Sequence, residues 1–229
     1  MKVISLIGSE RTNSLSLKIN NVVLNELKKN YDEFESVIFT KDIFPINDCQ
    51  GCRSCFTSQK CLQDTKDNFQ VLRKGLLEAD LIILGFPVFL NNVSGYMKSF
   101  LDRIAYWTHI YKLKGKLVLP IIITDSSGNV PVSIYVNSIF TALGMKIVGT
   151  INVVKIIFNK QELNRQINYA IHNIYHDEYE NKADLEEYYA KLKGVYLSDK
   201  PLLSDNERRY FMEKGYLECD SYEELLKKN

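Results

Sequence analysis

Leu81-Ile82-Ile83-Leu84-Gly85-Phe86 is an unbroken apolar run, closed by Pro87. A strand covered on both faces reads this way, and such strands belong to parallel sheets. Working outward, residues 3–7 form a second short apolar run that ends at Gly8-Ser9, and residues 34–40, 117–124 and 147–154 supply three more strands. Helical spacings lie between them. Leu17, Val22, Leu24 and Leu27 follow the capping Ser14; Phe69, Leu72, Leu76 and Leu77 lie within 67–78; Met97, Phe100, Leu101 and Ile104 follow Ser94; another helix spans 132–143. Strands alternating with helices predict a parallel sheet with helices on both faces, and right-handed crossovers leave the five strands the order 2-1-3-4-5. Beyond residue 160 Tyr, Glu, Lys and Asn dominate, with helical periodicity and no strand. The expected division is a sheet domain over 1–179 and a helical C-terminal extension over 180–229.

Composition narrows the function. With 229 residues, 45% hydrophobic and 25% charged, the chain has the make-up of an ordinary globule. A formal charge of +1 provides no field to recruit nucleic acid or an anionic membrane. No apolar run approaches the roughly 18 residues of a membrane span. The apolar stretch near Met1 is too short for a secretory signal, so the expected address is cytoplasmic.

Three loops follow strand ends, where open parallel sheets bind ligands. Gly8-Ser9-Glu10-Arg11-Thr12-Asn13-Ser14-Leu15-Ser16 joins the first strand to the first helix. A helix N-terminus offers free N–H groups to an anion, Ser9, Ser14 and Ser16 add hydroxyls, and Arg11 adds a planar fork for phosphate. Neither a Walker loop nor three spaced glycines is present, so the loop suits a phosphate monoester. Pro87, Val88, Phe89, Leu90 and Asn91 follow the third strand and place backbone polar groups beside apolar side chains, which suits a flat heteroaromatic ring. Asp125, Ser126, Ser127 and Gly128 follow the fourth.

The first loop, followed by Pro87-Val88-Phe89 and then Ser94, Met97, Lys98, Phe100, Asp102 and Arg103, resembles the NAD(P)H-dependent FMN reductases of the flavodoxin-like superfamily. The resemblance covers about residues 1–155 and implies a flavodoxin-like three-layer sandwich. It implies that Ser9, Arg11, Asn13, Ser14, Leu15 and Ser16 hold the FMN phosphate. Pro87 through Asn91 then contact the isoalloxazine, and Asp125 to Gly128 line its other side. Glu10 stands where many relatives have Pro, and Phe89 where Tyr is common. Residues 206–217 are similar to the C-terminal helix of some of these reductases. The implied activity moves electrons from NAD(P)H to a quinone, flavin, nitro or azo compound, or to a redox protein. The flavin does the chemistry, so no side chain is assigned a catalytic role. A homodimer or homotetramer is the implied assembly.

Cys49, Cys52, Cys55 and Cys61 place four of the five cysteines within one short loop. This run resembles that of the iron–sulfur flavoproteins, which implies a [4Fe–4S] centre near FMN and a one-electron carrier. Three other readings stand beside it: a redox-active dithiol, zinc, or thiols that merely pack. A non-catalytic redox or metal sensor is a further alternative for the whole chain. Arg53 and Lys60 flank the run and are expected to lower thiol pKa values. His172 and His176 lie one helical turn apart, which reads as a solvated face because no third ligand accompanies them. Asp102 and Arg103 are expected to anchor their helix by an ion pair. Trp107, Tyr106 and His109 read either as core or as an overhang on the flavin, and Cys219 as incidental. The tyrosine-rich tail is expected to cover the cleft or to embrace a second subunit.

Overall fold

The computed structural model describes residues 1–198 and 205–228; residues 199–204 and 229 of the expected extension lie outside them. Strands β1 (Lys2–Ile7), β2 (Glu35–Thr40), β3 (Leu81–Phe89) and β5 (Leu117–Thr124) run parallel, as the largely apolar character of β1, β3 and β5 suits. Alternate residues face opposite sides. Ile82, Leu84, Val118 and Ile122 point into one core, and Leu81, Ile83, Leu119 and Ile121 into the other.

The sheet has seven strands, with β2-β1-β3-β5-β6 as its ordered path, rather than five in the order 2-1-3-4-5. Two local events account for the difference. First, Pro87 does not end β3. The Gly85 carbonyl accepts from Gly8 N at 2.9 Å, so odd residues of β3 turn their polar groups toward β1. The β1–β3 pairing stops at Ile7 and Gly85, and Pro87 therefore lacks an N–H only where no strand remains to receive it. The strand continues to Phe89, turns through Leu90 and Asn91, both at positive φ, and returns as the antiparallel β4 (Asn92–Val93).

Second, the fifth position is divided into β6 (Lys146–Ile147) and β7 (Ile151–Val154), both paired with β5. Val148 N donates to Val118 O at 3.1 Å, so even residues of β5 face that side. Two residues on, Pro120 has no N–H to offer, and the neighbouring strand breaks there at Gly149, whose φ is +140°.

Helices α1 (Leu15–Lys28) and α6 (Lys160–His176) cover one face, burying Ile19, Val23 and Leu27 with Ile167, Ala170 and Ile174. Helices α3 (Phe69–Glu78), α4 (Gly95–Arg103) and α5 (Asn129–Ala142) cover the other through Leu72, Leu76, Met97, Phe100, Val136 and Phe140. Of the positions read from the sequence, Leu24, Leu27, Phe69, Leu72, Leu76, Met97, Phe100, Leu101 and Ile104 are buried, whereas Val22 and Leu77 are exposed and α1 turns Ile19 and Val23 to the sheet instead.

The tail forms α7 (Lys182–Leu197), α8 (Asp205–Glu213) and α9 (Tyr222–Leu226). They enclose a third cluster with Tyr189, Tyr196, Phe211 and Tyr222 around Tyr111, which comes from the loop before β5. Tyr222 accepts from Gly115 N and donates to Gly144 O at 3.1 and 2.7 Å, tying the tail to the rim of the sheet.

Candidate active site

At the carboxyl ends of β1, β3 and β5 lies a cleft of ≈ 670 Å³. Gly8, which opens its polar end, is fixed by close packing. A Cβ there would meet Met97 Cγ at 2.2 Å and Gly85 O at 2.9 Å. Its carbonyl accepts from Ser94 Oγ at 3.1 Å, and Ser94 also caps α4, so two loops share one serine. Ser14 caps α1 by accepting from Leu17 N, and Ser16 Oγ lies 3.3 Å from Ser14 Oγ. The turn before the cap is closed by Ser14 N donating to Arg11 O and Arg11 N to Ser9 Oγ.

Ser9, Arg11, Asn13, Ser14, Leu15, Ser16, Pro87, Val88, Phe89 and Asp125 all line this cleft. Leu90, Asn91, Ser126, Ser127 and Gly128 do not. Leu90 projects fully into solvent because the hairpin carries it past the wall. Asn91 turns instead against Gly128, where a Cβ would meet Asn91 Oδ1 at 2.6 Å. The Ser127 carbonyl is taken by the Thr124 hydroxyl.

Gly8, Glu10, Lys18, Lys41, Ser94, Gly95, Tyr96, Ile123 and Lys155 line the cleft without having been assigned from the sequence. Gly8, Glu10 and Ser94 stood inside the quoted motifs, whereas Lys41 and Lys155 arrive from the ends of β2 and β7 with no local signal. Lys41 pairs with Glu10, and Lys155 with Asp125 at 2.6 Å, which holds the Asp125 carboxyl below its usual range. Four cations, Arg11, Lys18, Lys41 and Lys155, thus face two carboxylates, and the α1 N-terminus adds its positive end. The cleft is cationic at the serine loop and apolar at Pro87, Val88, Phe89 and Ile123.

The cysteine loop lies apart: none of its thiols lines the cleft. Cys49 and Cys52 are exposed, and Cys55 and Cys61 half-buried. Among the described residues no three of His, Cys, Asp or Glu are gathered as a metal requires. The thiols do sense one another. Burial and then the charges of Cys61, Cys49 and Cys52 push Cys55 above its ordinary value, against the expected lowering by Arg53 and Lys60.

Arg103 does not pair with Asp102, which is held by Lys98. It reaches instead across to the cysteine loop, where its buried guanidinium meets Asp64 and Asp67 at 2.7 Å each and Asn47 O at 3.0 Å. Tyr106 and Trp107 are buried in the core rather than overhanging the cleft. His172 and His176 stack at 4.3 Å on α6. Among the described residues nothing beyond Lys155 lines the cleft, so no described part of the tail covers it.

A parallel sheet with a phosphate-suited helix end and an apolar strand-end wall defines a flavodoxin-like nucleotide-binding protein. The chain belongs to the NADPH-dependent FMN reductase family, whose model matches residues 1–158. An iron–sulfur flavoprotein from Archaeoglobus fulgidus is 33% identical over 150 residues, 65% of this chain and 66% of the relative. The chain spans between 42% and 66% of the length of the curated relatives it matches. Among solved structures, RosB with a bound 8-demethyl-8-formylriboflavin-5'-phosphate intermediate aligns with TM-score 0.64 at 13% identity, covering 89% of this chain and 90% of that one. The apo form of the NADH:FMN oxidoreductase EmoB aligns with TM-score 0.56 at 18% identity, covering 76% and 89%. These two share the fold.

Proposed function

We propose that this protein is an FMN-dependent oxidoreductase that takes electrons from NAD(P)H and delivers them to a small acceptor or a redox partner. Quinones, free flavin, and nitro or azo compounds are the acceptor classes in view. The observation that carries this reading is the single cleft joining a cationic, serine-rich helix N-terminus to an apolar wall. Its volume is in the range of small-molecule sites, roughly 300–1,000 Å³. Ser9, Arg11, Asn13, Ser14, Leu15 and Ser16 would hold the phosphate, and Pro87, Val88 and Phe89 the ring. Bound FMN supplies the hydride and electron chemistry; the chain's own residues bind, orient and shield it. In this reading residues 1–179 form the flavin domain and 180–229 an extension, and the protein works in the cytoplasm as a homodimer or homotetramer.

The names of the curated relatives favour a second reading, a one-electron carrier with a cluster on Cys49, Cys52, Cys55 and Cys61. The donor set suits iron and sulfide chemically, but its present geometry gathers no metal site. One anaerobic preparation tests both. Bound flavin with NAD(P)H-dependent quinone reduction and no iron supports the first reading; about four irons per chain with acid-labile sulfide moves the assignment to the second. A chain that neither carries nor takes up FMN overturns both, and flavin without turnover leaves a sensor.

A further inference from the structure

The cysteine run contains one short helix, α2 (Ser54–Ser58), closed within itself by the Thr57 and Ser58 hydroxyls donating to Ser54 O at 3.2 and 2.9 Å. It is entered and left through Arg53 and Gln59, both left-handed, and has no side-chain N-cap. An isolated helix of one turn is not stable in water. Further support comes from far along the chain. The Asn206 side-chain amide, on α8, donates to Phe56 O and Thr57 O at 2.8 Å each, satisfying carbonyls that the short helix leaves open.

The same segment is held from its other side. Phe56 packs edge-on against Tyr106 and His109 with ring centroids 5.1 and 5.0 Å apart. His109 is in turn gripped by the tail, its carbonyl accepting from Tyr196 OH at 2.6 Å and its Nδ1 lying 3.7 Å from Glu207 Oε1. Arg103 pins the two ends of the loop at Asn47 and at Asp64 and Asp67. The middle, where Cys55 lies, is held by α8.

We propose that α8 is a latch on the cysteine loop and that Asn206 is the positioning residue that closes it, setting the exposure and reactivity of Cys55. With the latch closed, Cys55 is half-buried beside Phe56. With it open, the Phe56 and Thr57 carbonyls lose the Asn206 amide, and the half-buried Cys55 sulfur gains access to solvent and to reagents dissolved in it. The inference concerns the loop and the tail alone and does not rest on the flavin reading.

The test uses the full chain with Asn206→Ala and Asn206→Asp, the second keeping the shape while removing the N–H donors. Iodoacetamide alkylation is followed at each cysteine by peptide mass mapping, with Cys219, buried in the tail cluster, as internal control. Both variants should alkylate Cys55 at least about five-fold faster, the factor attached to roughly 1 kcal/mol, while Cys219 stays protected and circular dichroism is unchanged. Equal Cys55 rates in variant and parent overturn the proposal, and so does a parallel rise at Cys219, which reports general loosening. Should the variants fail to fold, hydrogen exchange on the unaltered chain decides. Amides of Phe56 to Ser58 protected together with those of α8 support the latch; free exchange there while α8 stays protected overturns it.

Discussion

Arg103 answers two carboxylates with one guanidinium, and its surroundings show what that means for stability. Its side chain is fully buried, and Asp67 beside it is only 6% exposed. Replacing it with methionine strands those charges, and we expect a loss of about 3–5 kcal/mol at neutral pH, read by urea denaturation. Burial alone would raise the Asp67 carboxyl, yet hydrogen bonds from Arg103 and from Asn47 and Phe69 N–H leave it below its ordinary value. A carboxyl lowered on folding contributes stability above its unfolded pKa, about 3.9, and that contribution is lost as pH falls through the folded value. The parent should therefore weaken below about pH 4, with a shallower acid limb in Arg103→Met; equal limbs in both would remove Asp67 from the account. At the other site, Arg11 lines the cleft. Arg11→Ala should weaken FMN binding by about 1–3 kcal/mol if the guanidinium meets the phosphate, and titration of the flavin fluorescence measures it. Unchanged affinity would return Arg11 to the solvent-facing role of a surface arginine.

The β3–β4 hairpin shows where local residues stop announcing their structure. Leu90 and Asn91 both adopt positive φ, at 48° and 60°. A two-residue turn of that kind ordinarily carries Asn-Gly or Gly-Gly, and leucine in the first position is strained. Leu90→Asn should raise stability by about 1 kcal/mol, because asparagine tolerates the left-handed region; a lower melting midpoint would argue against strain at this turn. This atypical leucine is also why the hairpin was not legible. Pro87 suggested a stop, and nothing at 90–91 suggested a turn that would lift Leu90 and Asn91 off the cleft wall. By contrast, residues 3–7, 81–86 and 117–124 were legible as strands because burial on both faces makes nearly every side chain apolar, the buried Ser5 being satisfied by Asn20 Oδ1 at 2.8 Å. Ser14 and Ser94 were legible as caps because the hydrogen bond they accept depends on local spacing. Lys41 and Lys155 reach the cleft only through tertiary arrangement, which no local pattern encodes.

Across the whole molecule, the tail is joined to the sheet through aromatic contact as well as hydrogen bonds. Tyr111 lies 5.9–6.4 Å from the rings of Tyr188, Tyr189, Phe211 and Tyr222, and Lys114 Nζ donates to Leu225 O at 3.2 Å. Trp107 reports on the sheet side of this junction and Cys219 on the tail side, both buried. In urea, Trp107 fluorescence and Cys219 labelling should change with one midpoint, because the junction leaves little that can unfold separately. Two midpoints would mean that the tail melts first and that the junction is weaker than its contacts suggest.

The distance along the chain between the latch and what it holds has a consequence in time. Asn206 follows Phe56 by 150 positions. At about 5–20 residues per second, a ribosome needs roughly 8–30 s to synthesise that interval. The thiols therefore emerge, and the β1–β5 half of the sheet can begin to assemble around them, before the helix that fastens their loop exists. Any partner that must reach those sulfurs has its widest access on the nascent chain, and completing translation narrows it.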